Sequence, residues 1–341
     1  MRRHVPRLRI ASAIAPLFGA LVLVLCGATS AGAGTLVSLN FTNFGTVQVD
    51  LFTELAPLSV ANFLHYVNDS LYDDTMIHRV DTGLGVIQGG GYSPGGVPVA
   101  TFEQVNNESW LHNRRGTLAM ARGGDVDSAK SQWFINTDNN TVDLGLAAGQ
   151  GYSVFGWVVG GGMSVVDAIA AVPTFNYDPP FNQIPLQDFT QQDKINGVDP
   201  TPHAVVLASV EVISTHPTFR NPISRVDVNN DGLLTPLDSL IVINSLNAHG
   251  IHFVDPFESN PFAYRDVNGD GLISPSDLVV VINSLIANGT GNPAPLAMPQ
   301  PQVSSLAVVP EPRAWVLAAW CILALGCLIG YRTRLSAAAA A

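Results

Sequence analysis

Cysteine is almost absent from this chain, and the few that occur lie near its two ends. They are Cys26, Cys321 and Cys327. The long stretch between Cys26 and Cys321 therefore cannot be held by disulfide bonds, even in an oxidising compartment. Its stability has to come from burial of a core, with bound ions as a further source.

Positive charge is scarce as well. Residues 34–308 contain 9 Lys and Arg against 26 Asp and Glu, which is a net charge of −17. A surface of that sign repels phosphate groups, so DNA and RNA are excluded as partners. The same surface is suited to sites for cations.

A long apolar run near the N-terminus follows a basic segment. Residues 1–9 carry four arginines, the run continues to Leu25, and Ala31-Gly32-Ala33 supplies small residues. This order predicts a secretory signal peptide over residues 1–33, with cleavage after Ala33. A lipoprotein signal at Cys26 is an alternative that the bulky Leu25 disfavours.

A second apolar run lies near the C-terminus. Residues 314–331 follow a Val-Pro-Glu-Pro motif and precede Arg332 and Arg334. Eighteen helical residues span roughly 27 Å, which is enough to cross a bilayer. Residues 309–341 resemble a PEP-CTERM sorting tail, which is a transient membrane anchor. A permanent C-terminal anchor is the alternative, and either interpretation places the body outside the cytoplasm.

The body begins with the patterns of a mainly β domain. Alternation of apolar and polar residues predicts strands over Leu36–Phe41 and Thr46–Phe52, joined by a turn at Asn43–Gly45. Pro57 starts a helix with apolar residues at helical spacing. A second helix is predicted at 163–169 and a last strand at 204–213. These patterns alone indicate a β-rich barrel or sandwich.

Four short strings make the prediction more specific. They are IHRV (Ile77–Val80), IQGGGYSPG (Ile87–Gly95), RRGTLAMAR (Arg114–Arg122) and SQWFIN (Ser131–Asn136). Their joint order resembles the cyclophilin family of peptidyl-prolyl cis-trans isomerases, over residues 36–213. The resemblance implies an eight-stranded antiparallel barrel with two helices. A phosphate-binding glycine loop is disfavoured, because no Lys-Ser/Thr pair follows the glycines.

The resemblance also implies the chemistry and its residues. Substrates would be proline-containing polypeptides, and catalysis would need no cofactor. Arg79 would be the electrostatic catalyst and Gln88 would steady it. The implied substrate-binding side chains are His78, Leu84, Val86, Ala121, Arg122, Gln132, Phe134, Val142 and Tyr152.

Some positions depart from the family pattern. Arg79 and Gln88 are nine residues apart, where the family has eight. Leu84 or Gly85 stands where a phenylalanine is expected, and Thr141 replaces another aromatic residue. We therefore expect a shallower, wetter pocket, slower isomerisation and weak cyclosporin binding. A catalytically weak adaptor that binds proline peptides is the alternative hypothesis. Residues 173–202 are predicted to be an irregular surface loop, with no role assigned.

Two sequence repeats follow, 39 residues apart. Oxygen-bearing side chains occupy positions 1, 3, 5, 9 and 12 of each, and glycine occupies position 6. This is the pattern of an EF-hand calcium loop, in which position 7 contributes a carbonyl oxygen. Two Ca²⁺ ions are therefore predicted. The ligands would be Asp227, Asn229, Asp231, Leu233, Thr235 and Asp238 in the first loop, and Asp266, Asn268, Asp270, Leu272, Ser274 and Asp277 in the second.

Aspartate at position 12 and the lack of an entering helix resemble dockerin type I modules. Residues 217–291 would form this small α-helical module, and the resemblance implies a cohesin-like partner. A calcium-braced spacer is an equally open alternative. We expect the two helices to pack through an apolar stripe that includes Ile282 and Ile286. Zinc at His249 and His252 is disfavoured, because two histidines on a loop usually stay solvated.

The whole chain then divides into five segments. A signal peptide (1–33) precedes the isomerase domain (34–216), the calcium module (217–291), a Pro-rich linker (292–308) and the sorting tail (309–341). We expect an exported isomerase that acts in the folding of envelope or secreted proteins and has membrane contact through its tail. A structural surface protein, in which the calcium module is the main functional part, is a third hypothesis.

Overall fold

A computed structural model describes residues 33–145, 151–217, 219–254 and 263–294. The predicted signal peptide up to residue 32, the sorting tail and most of the Pro-rich linker lie outside these ranges. No helix within the described ranges has the length and hydrophobicity needed to span a membrane.

The larger part of the structure is one antiparallel sheet of nine strands. Their order across the sheet is β3-β11-β1-β2-β8-β6-β7-β5-β4. The strands are β1 (Ala33–Phe41), β2 (Gly45–Leu51), β3 (Thr75–Met76), β4 (Arg79–Asp81), β5 (Val86–Gly89), β6 (Thr117–Met120), β7 (Trp133–Asn136), β8 (Val154–Val159) and β11 (Val206–Pro217). The predicted first hairpin and last strand are thereby confirmed, with boundaries shifted by a few residues.

The two edges of this sheet meet in one short stretch of chain. Strands β3 and β4 are separated only by Ile77 and His78. The N–H of Ile77 donates to Val205 O at 2.9 Å, beside β11, and the N–H of His78 donates to Gln88 O at 3.1 Å, on β5. Counted as one bent strand, β3 and β4 close a barrel of eight strands, as predicted.

Two helices flank the barrel, also as predicted. Helix α1 (Pro57–Asn68) begins with proline at its first turn, and α2 is Met163–Ala170. The apolar face of α1 places Phe63 fully inside the core, with its ring 5.4 Å from that of Phe155. Burial of one such side chain contributes about 1.5–3 kcal/mol to stability.

The insertion between α2 and β11 is more ordered than the sequence suggested. It contains a small hairpin of β9 (Thr174–Phe175) and β10 (Ile184–Pro185), a short helix α3 (Gln191–Ile195) and a 3₁₀ turn at Thr201–His203. It also has its own apolar cluster, in which Leu186 is fully buried. The wide spacing of its apolar residues hid this cluster from pattern analysis.

The second module has two helices and short β pairs. Helices α4 (Pro236–His249) and α5 (Pro275–Asn288) both begin with a capping box. The pairs join β12 (Leu233–Leu234) to β15 (Asn292–Pro293), and β13 (His252–Phe253) to β14 (Leu272–Ile273). Each helix start combines a hydroxyl residue at the N-cap, a proline in the first turn and an aspartate that completes the capping box.

Two details of this module differ from the prediction. Val281 of α5 is buried in the helix pair, but Ile282 and Ile286 are 39% and 79% exposed. The apolar stripe is therefore narrower than expected, because the helices meet only along one line. The predicted linker also begins too early, since Asn292 and Pro293 pair with β12.

The module packs against the barrel through Tyr264. This ring stacks on Trp157 with centroids 5.8 Å apart, and it joins Leu36 and Val159 in a small buried cluster. Asn230 of the first repeat donates its side-chain N–H to the carbonyl of Val158 at 2.8 Å. Barrel strands β1 and β8 thus form part of the surface on which the repeats rest.

Candidate active site

A cavity of about 160 Å³ opens beside strands β4, β5 and β7. Most of the residues predicted to act on substrate lie around it. Its lining consists of Arg79, Leu84, Val86, Gln88, Ala121, Arg122, Phe134, Leu144 and Tyr152. The cavity therefore combines two guanidinium groups, one amide and an apolar wall.

The position of Arg79 follows from strand register. Arg79 on β4 lies opposite Gln88 on β5, so their side chains leave the sheet on the same face. Nη1 of Arg79 donates to Gln88 Oε1 at 3.2 Å, and Nε2 of Gln88 donates to Gln132 Oε1 at 2.8 Å. This chain of hydrogen bonds holds the guanidinium beside the cavity while 31% of its side chain stays exposed.

Two further side chains bind Arg79 that sequence analysis did not identify. Nη2 donates to Asp81 Oδ2 at 2.5 Å, and Nε donates to Gln183 Oε1 at 3.1 Å. Asp81 could have been predicted from the sequence, because residues two apart on a strand lie on the same face and Asp81 follows Arg79 by two. Gln183 lies 104 residues away in the insertion, and no local pattern relates it to Arg79.

The apolar wall of the cavity is part of a buried cluster. Phe134 is 5% exposed and packs with Val86, Leu144 and other apolar residues of that cluster. The ring of Tyr152 meets Phe134 edge-on at 5.6 Å, and the guanidinium of Arg122 lies 4.5 Å above the Tyr152 ring. A ring of proline size would find aromatic and aliphatic contacts here.

The sequence left open whether Leu84 or Gly85 faces the pocket. Leu84 lines the cavity, whereas Gly85 occupies a turn with φ +68°, where side chains are rarely tolerated. A Cβ on Gly85 would also approach Asp138 Cβ to 2.7 Å. The additional residue between Arg79 and Gln88 is therefore accommodated in this turn.

Two predicted substrate-binding residues line neither this cavity nor the adjoining depression, which Gln132 lines. Val142 is 70% exposed and points away, since Thr141 bonds to Asn139 in a turn that directs Val142 to solvent. Leu144 takes its place in the lining, and sequence analysis missed it. His78 is 2% exposed and lies beneath the site.

The environment of His78 explains its charge state. Burial, and then the nearby Arg79, lower the pKa of His78 to about 4, so its ring is neutral near pH 7. The ring meets Tyr92 edge-on at 5.1 Å. His78 therefore packs behind the lining of the cavity and is not part of it.

A second depression of about 330 Å³, lined mainly by polar residue types, adjoins the first. The two share Gln88, Ala121 and Arg122, and the second adds Gln132 and Gly123. Together they form a groove with an apolar end and a polar end. A peptide could place a proline in the first and the preceding residues along the second.

Comparison with known proteins agrees with this geometry. Residues 36–191 match the family model described as cyclophilin type peptidyl-prolyl cis-trans isomerase/CLD. A peptidyl-prolyl cis-trans isomerase of Acinetobacter baylyi is 44% identical over 147 residues, which are 42% of this chain and 77% of that protein. The chain belongs to the cyclophilin-type isomerase family.

Other cyclophilins give the same result. Peptidyl-prolyl cis-trans isomerase A of Dickeya dadantii is 44% identical over 44% of this chain and 79% of its own length. Isomerase B of Escherichia coli is 45% identical over 39% of this chain and 83% of its own. A solved cyclophilin-type isomerase of Cryptosporidium parvum covers 53% of this chain and 98% of its own, with 22% identity and a TM-score of 0.39. The curated relatives show that this cyclophilin is a peptidyl-prolyl cis-trans isomerase.

The second module matches the dockerin type I domain over residues 225–292. The two aspartates that open the loops, Asp227 and Asp266, are each 2% exposed, and Asp238 and Asp277, which end them, are fully buried. Burial, together with the charges of Asp238 and Asp231, raises the pKa of Asp227 to about 7. Buried carboxylates that repel each other fit a divalent cation, which would neutralise them.

The other predicted ligands surround these carboxylates. The amide of Asn229 bonds to Asp231, and Asn268 bonds to Asp270 in the same way. In the part of the chain that the structure describes, no three His, Cys, Asp or Glu side chains form a metal-binding group by themselves. Calcium would therefore also need the remaining oxygens, from Asn229, Thr235, Asn268 and Ser274 and from the carbonyls of Leu233 and Leu272. His249 and His252 lie side by side, and Nδ1 of His252 faces the carbonyl of Gly250.

Proposed function

We propose that Arg79 is the electrostatic catalyst of this isomerase and that Phe134 is the main contact of the substrate proline. The observation that carries the proposal is a restrained guanidinium at the rim of an apolar cavity. The apolar wall would hold the proline ring and leave the X–Pro bond beside Arg79. Gln88 and Gln132 would bind the peptide backbone along the polar groove.

The geometry accounts for a faster rotation. Amide resonance sets a barrier of about 18–20 kcal/mol, and at the top of that barrier the imide nitrogen becomes pyramidal and basic. A donor aimed at that nitrogen stabilises the twisted state more than either planar isomer. Arginine keeps its charge at every physiological pH, so the donor is always present.

Substitution of Arg79 tests this assignment. Arg79→Ala should reduce kcat/KM by about 100-fold, since loss of one electrostatic donor usually has this effect. A protease-coupled proline-peptide assay gives the rate, and NMR titration with an uncleaved peptide gives binding. Peptide binding should change little, because the apolar wall is intact. Full activity of Arg79→Ala would contradict the assignment.

The adaptor hypothesis is the second candidate for this site. Its support is the loss of aromatic residues at Leu84 and Thr141. It predicts peptide binding with negligible isomerisation by the unmodified protein. The same two measurements on the unaltered chain therefore distinguish the hypotheses.

For the dockerin type I module we propose two bound Ca²⁺ ions and a cohesin-like partner. Exposed apolar side chains occupy matching positions of the two helices, such as Leu240 on α4 and Val279 on α5, which are 46% and 52% exposed. A matched pair of this kind suits a protein partner. Affinity capture with a cohesin domain, with and without a calcium chelator, tests this proposal. Calcium binding without capture would favour the spacer hypothesis.

We also propose that the protein is exported and acts on envelope or secreted proteins. Its support is the sequence: a signal-like first segment, a cysteine-free acidic body and a tail that resembles a sorting signal. Cell fractionation and mass spectrometry of the mature ends would test it. A cytoplasmic protein with residues 1–33 retained would contradict the proposal.

A further inference from the structure

The insertion between α2 and β11 meets the arginine site at Gln183. Gln183 accepts two hydrogen bonds there, one from the main-chain N–H of Val80 to its carbonyl at 2.9 Å and one from Arg79 Nε to its side chain at 3.1 Å. It therefore contacts both the strand that carries the arginine and the guanidinium itself.

Gln183 rests on an ordered support. The next residue, Ile184, begins β10 and is 6% exposed, and Leu186 is fully buried. The rings of Phe175 and Phe189 pack edge to face at 5.1 Å in the same cluster. A side chain mounted on such a cluster has few alternative positions.

Asp81 holds the guanidinium from another direction. One carboxylate oxygen accepts from Nη2 of Arg79, and the other accepts the main-chain N–H groups of Gly83 and Leu84, both at 3.0 Å. The turn therefore fixes the Asp81 carboxylate independently of its contact with Arg79. Neither Asp81 nor Gln183 lines the cavity, so both act from behind Arg79.

Each guanidinium nitrogen consequently has its own acceptor: Nη1 has Gln88, Nη2 has Asp81 and Nε has Gln183. Arginine has five N–H donors, so two remain for a substrate after these three bonds. A long side chain normally loses rotamer freedom when it binds. The three hydrogen bonds restrict the rotamers of Arg79 before the peptide binds. Little further freedom is then lost on binding, and this favours the reaction step.

We propose that Asp81 and Gln183 are positioning residues for Arg79, and that the insertion serves to supply Gln183. This inference rests on the catalytic role proposed above for Arg79. It predicts that loss of either acceptor lowers kcat and leaves KM nearly unchanged, because the proline-binding wall is not altered.

Three glutamine variants test the insertion. Gln183→Met keeps the size of the side chain but removes the acceptor, and should lower kcat/KM about fivefold, through kcat. Gln183→Glu retains an acceptor for Nε and should stay within about twofold of the unmodified enzyme. Gln187→Ala is the matched control, since Gln187 joins the same region through its main chain.

Asp81→Asn tests the second acceptor. Its remaining oxygen would serve the turn N–H groups, and its amide would then face the guanidinium without an acceptor. We expect kcat to fall about tenfold, the effect of losing a charge-assisted bond. The ¹⁵N resonance of Arg79 Nε–H gives a readout besides activity: its slow exchange with solvent should persist in Gln183→Glu and disappear in Gln183→Met.

The outcomes separate the two proposals. If Arg79→Ala is inactive but Gln183→Met keeps kcat/KM within twofold, this inference is wrong and the catalytic assignment stands. If Met and Glu at position 183 lose activity equally and both lower the unfolding temperature, the role of Gln183 is structural and the inference fails. Should Gln183→Met not fold, Asp81→Asn and the Nε–H exchange in Gln183→Glu decide the question.

Discussion

The hydroxyl of Tyr264 donates to the carboxylate of Asp50 at 2.8 Å, and both residues are 3% exposed. Tyr264 lies two residues before the second calcium loop, and its main-chain N–H donates to Val228 of the first loop. Asp50 belongs to barrel strand β2, and its other oxygen is 3.0 Å from Nε2 of His216. Tyr264 therefore connects the barrel to both repeats.

This contact predicts that calcium stabilises the barrel as well as its own module. At a free concentration about 100 times Kd, binding adds about 2.7 kcal/mol, which is an increase of roughly 5–10 °C in Tm for a protein of this size. Hydrogen exchange should slow in peptides that contain β2 and β8. The measurement is exchange with excess calcium and with a chelator.

Tyr264→Phe is the control for this linkage. It keeps the ring against Trp157 but removes the donor to Oδ2 of Asp50, a loss of about 1–3 kcal/mol. The calcium effect on β2 should shrink, while protection within α4 and α5 should remain. The two modules are independent if, in the unmodified protein, the amide hydrogens of β2 and β8 exchange equally fast with calcium and with the chelator.

The cavity is lined by Leu144 and not by Val142, which had been predicted to line it. This difference gives a second prediction. Leu144→Ala should raise KM several-fold, because truncation of a buried leucine removes about 2–5 kcal/mol of packing, part of which contacts the substrate. Val142→Ala should change neither KM nor Tm, since that side chain is 70% exposed. Equal effects of the two variants on KM would place Val142 in the site after all.

His78 gives a prediction for pH. Its pKa is lowered to about 4 in the fold from 6.5, so the unfolded chain binds the proton more tightly. The corresponding stability is complete above about pH 6.5 and is lost as the pH falls through about 4. Isomerisation between pH 6 and 8 should be flat, because His78 stays neutral and Arg79 stays charged.

Denaturant unfolding from pH 4 to 8 checks this prediction. His78→Gln should show a weaker loss of stability towards acid than the unmodified protein. His112→Gln, at an exposed position, should show the same loss as the unmodified protein. If the free energy of unfolding of His78→Gln falls towards acid as steeply as that of the unmodified protein, the role given to burial is wrong.

The last residue of each calcium loop allows the ions to be counted. In both Asp238 and Asp277, one carboxylate oxygen accepts an N–H at the helix start and the other accepts an N–H of the loop, so Asp→Asn removes the charge and one of the two acceptors. Calorimetry should give two ions for the unmodified protein, one for each single variant and none for the double variant. Asp125→Asn, outside the loops, should keep two. Loss of both ions in a single variant would mean that the loops bind as one unit.

Much of the fold was predictable because its signals are local. Alternation fixed β1 and β2, proline marked the start of α1, and glycine with aspartate marked both calcium loops. Arg79 and Gln88 were assigned through the resemblance of their two sequence strings to the cyclophilin family, and the structure places both residues in one hairpin. The turn at Thr141 was not predicted. It places Leu144 against the cavity, whereas Val142, two residues earlier, faces solvent.

The remaining errors concern contacts between distant parts of the chain. Gln183 meets Arg79 only because the insertion folds back over β4, and Tyr264 meets Asp50 only because the modules pack. The insertion was predicted to be irregular, since its apolar residues follow neither a helical nor a strand period. Its cluster forms by pairing residues from several short elements, which pattern analysis of one segment does not detect.

Ala33 and Pro217 are register partners at the outer end of the β1–β11 ladder. The chain therefore enters and leaves the isomerase domain at nearly the same place. A domain with adjoining ends can be placed in a surface loop of a host protein without stretching either partner, and its own ends can be joined and reopened elsewhere. Residues 34–216 therefore provide a cassette that could be grafted into a host protein as a built-in proline isomerase.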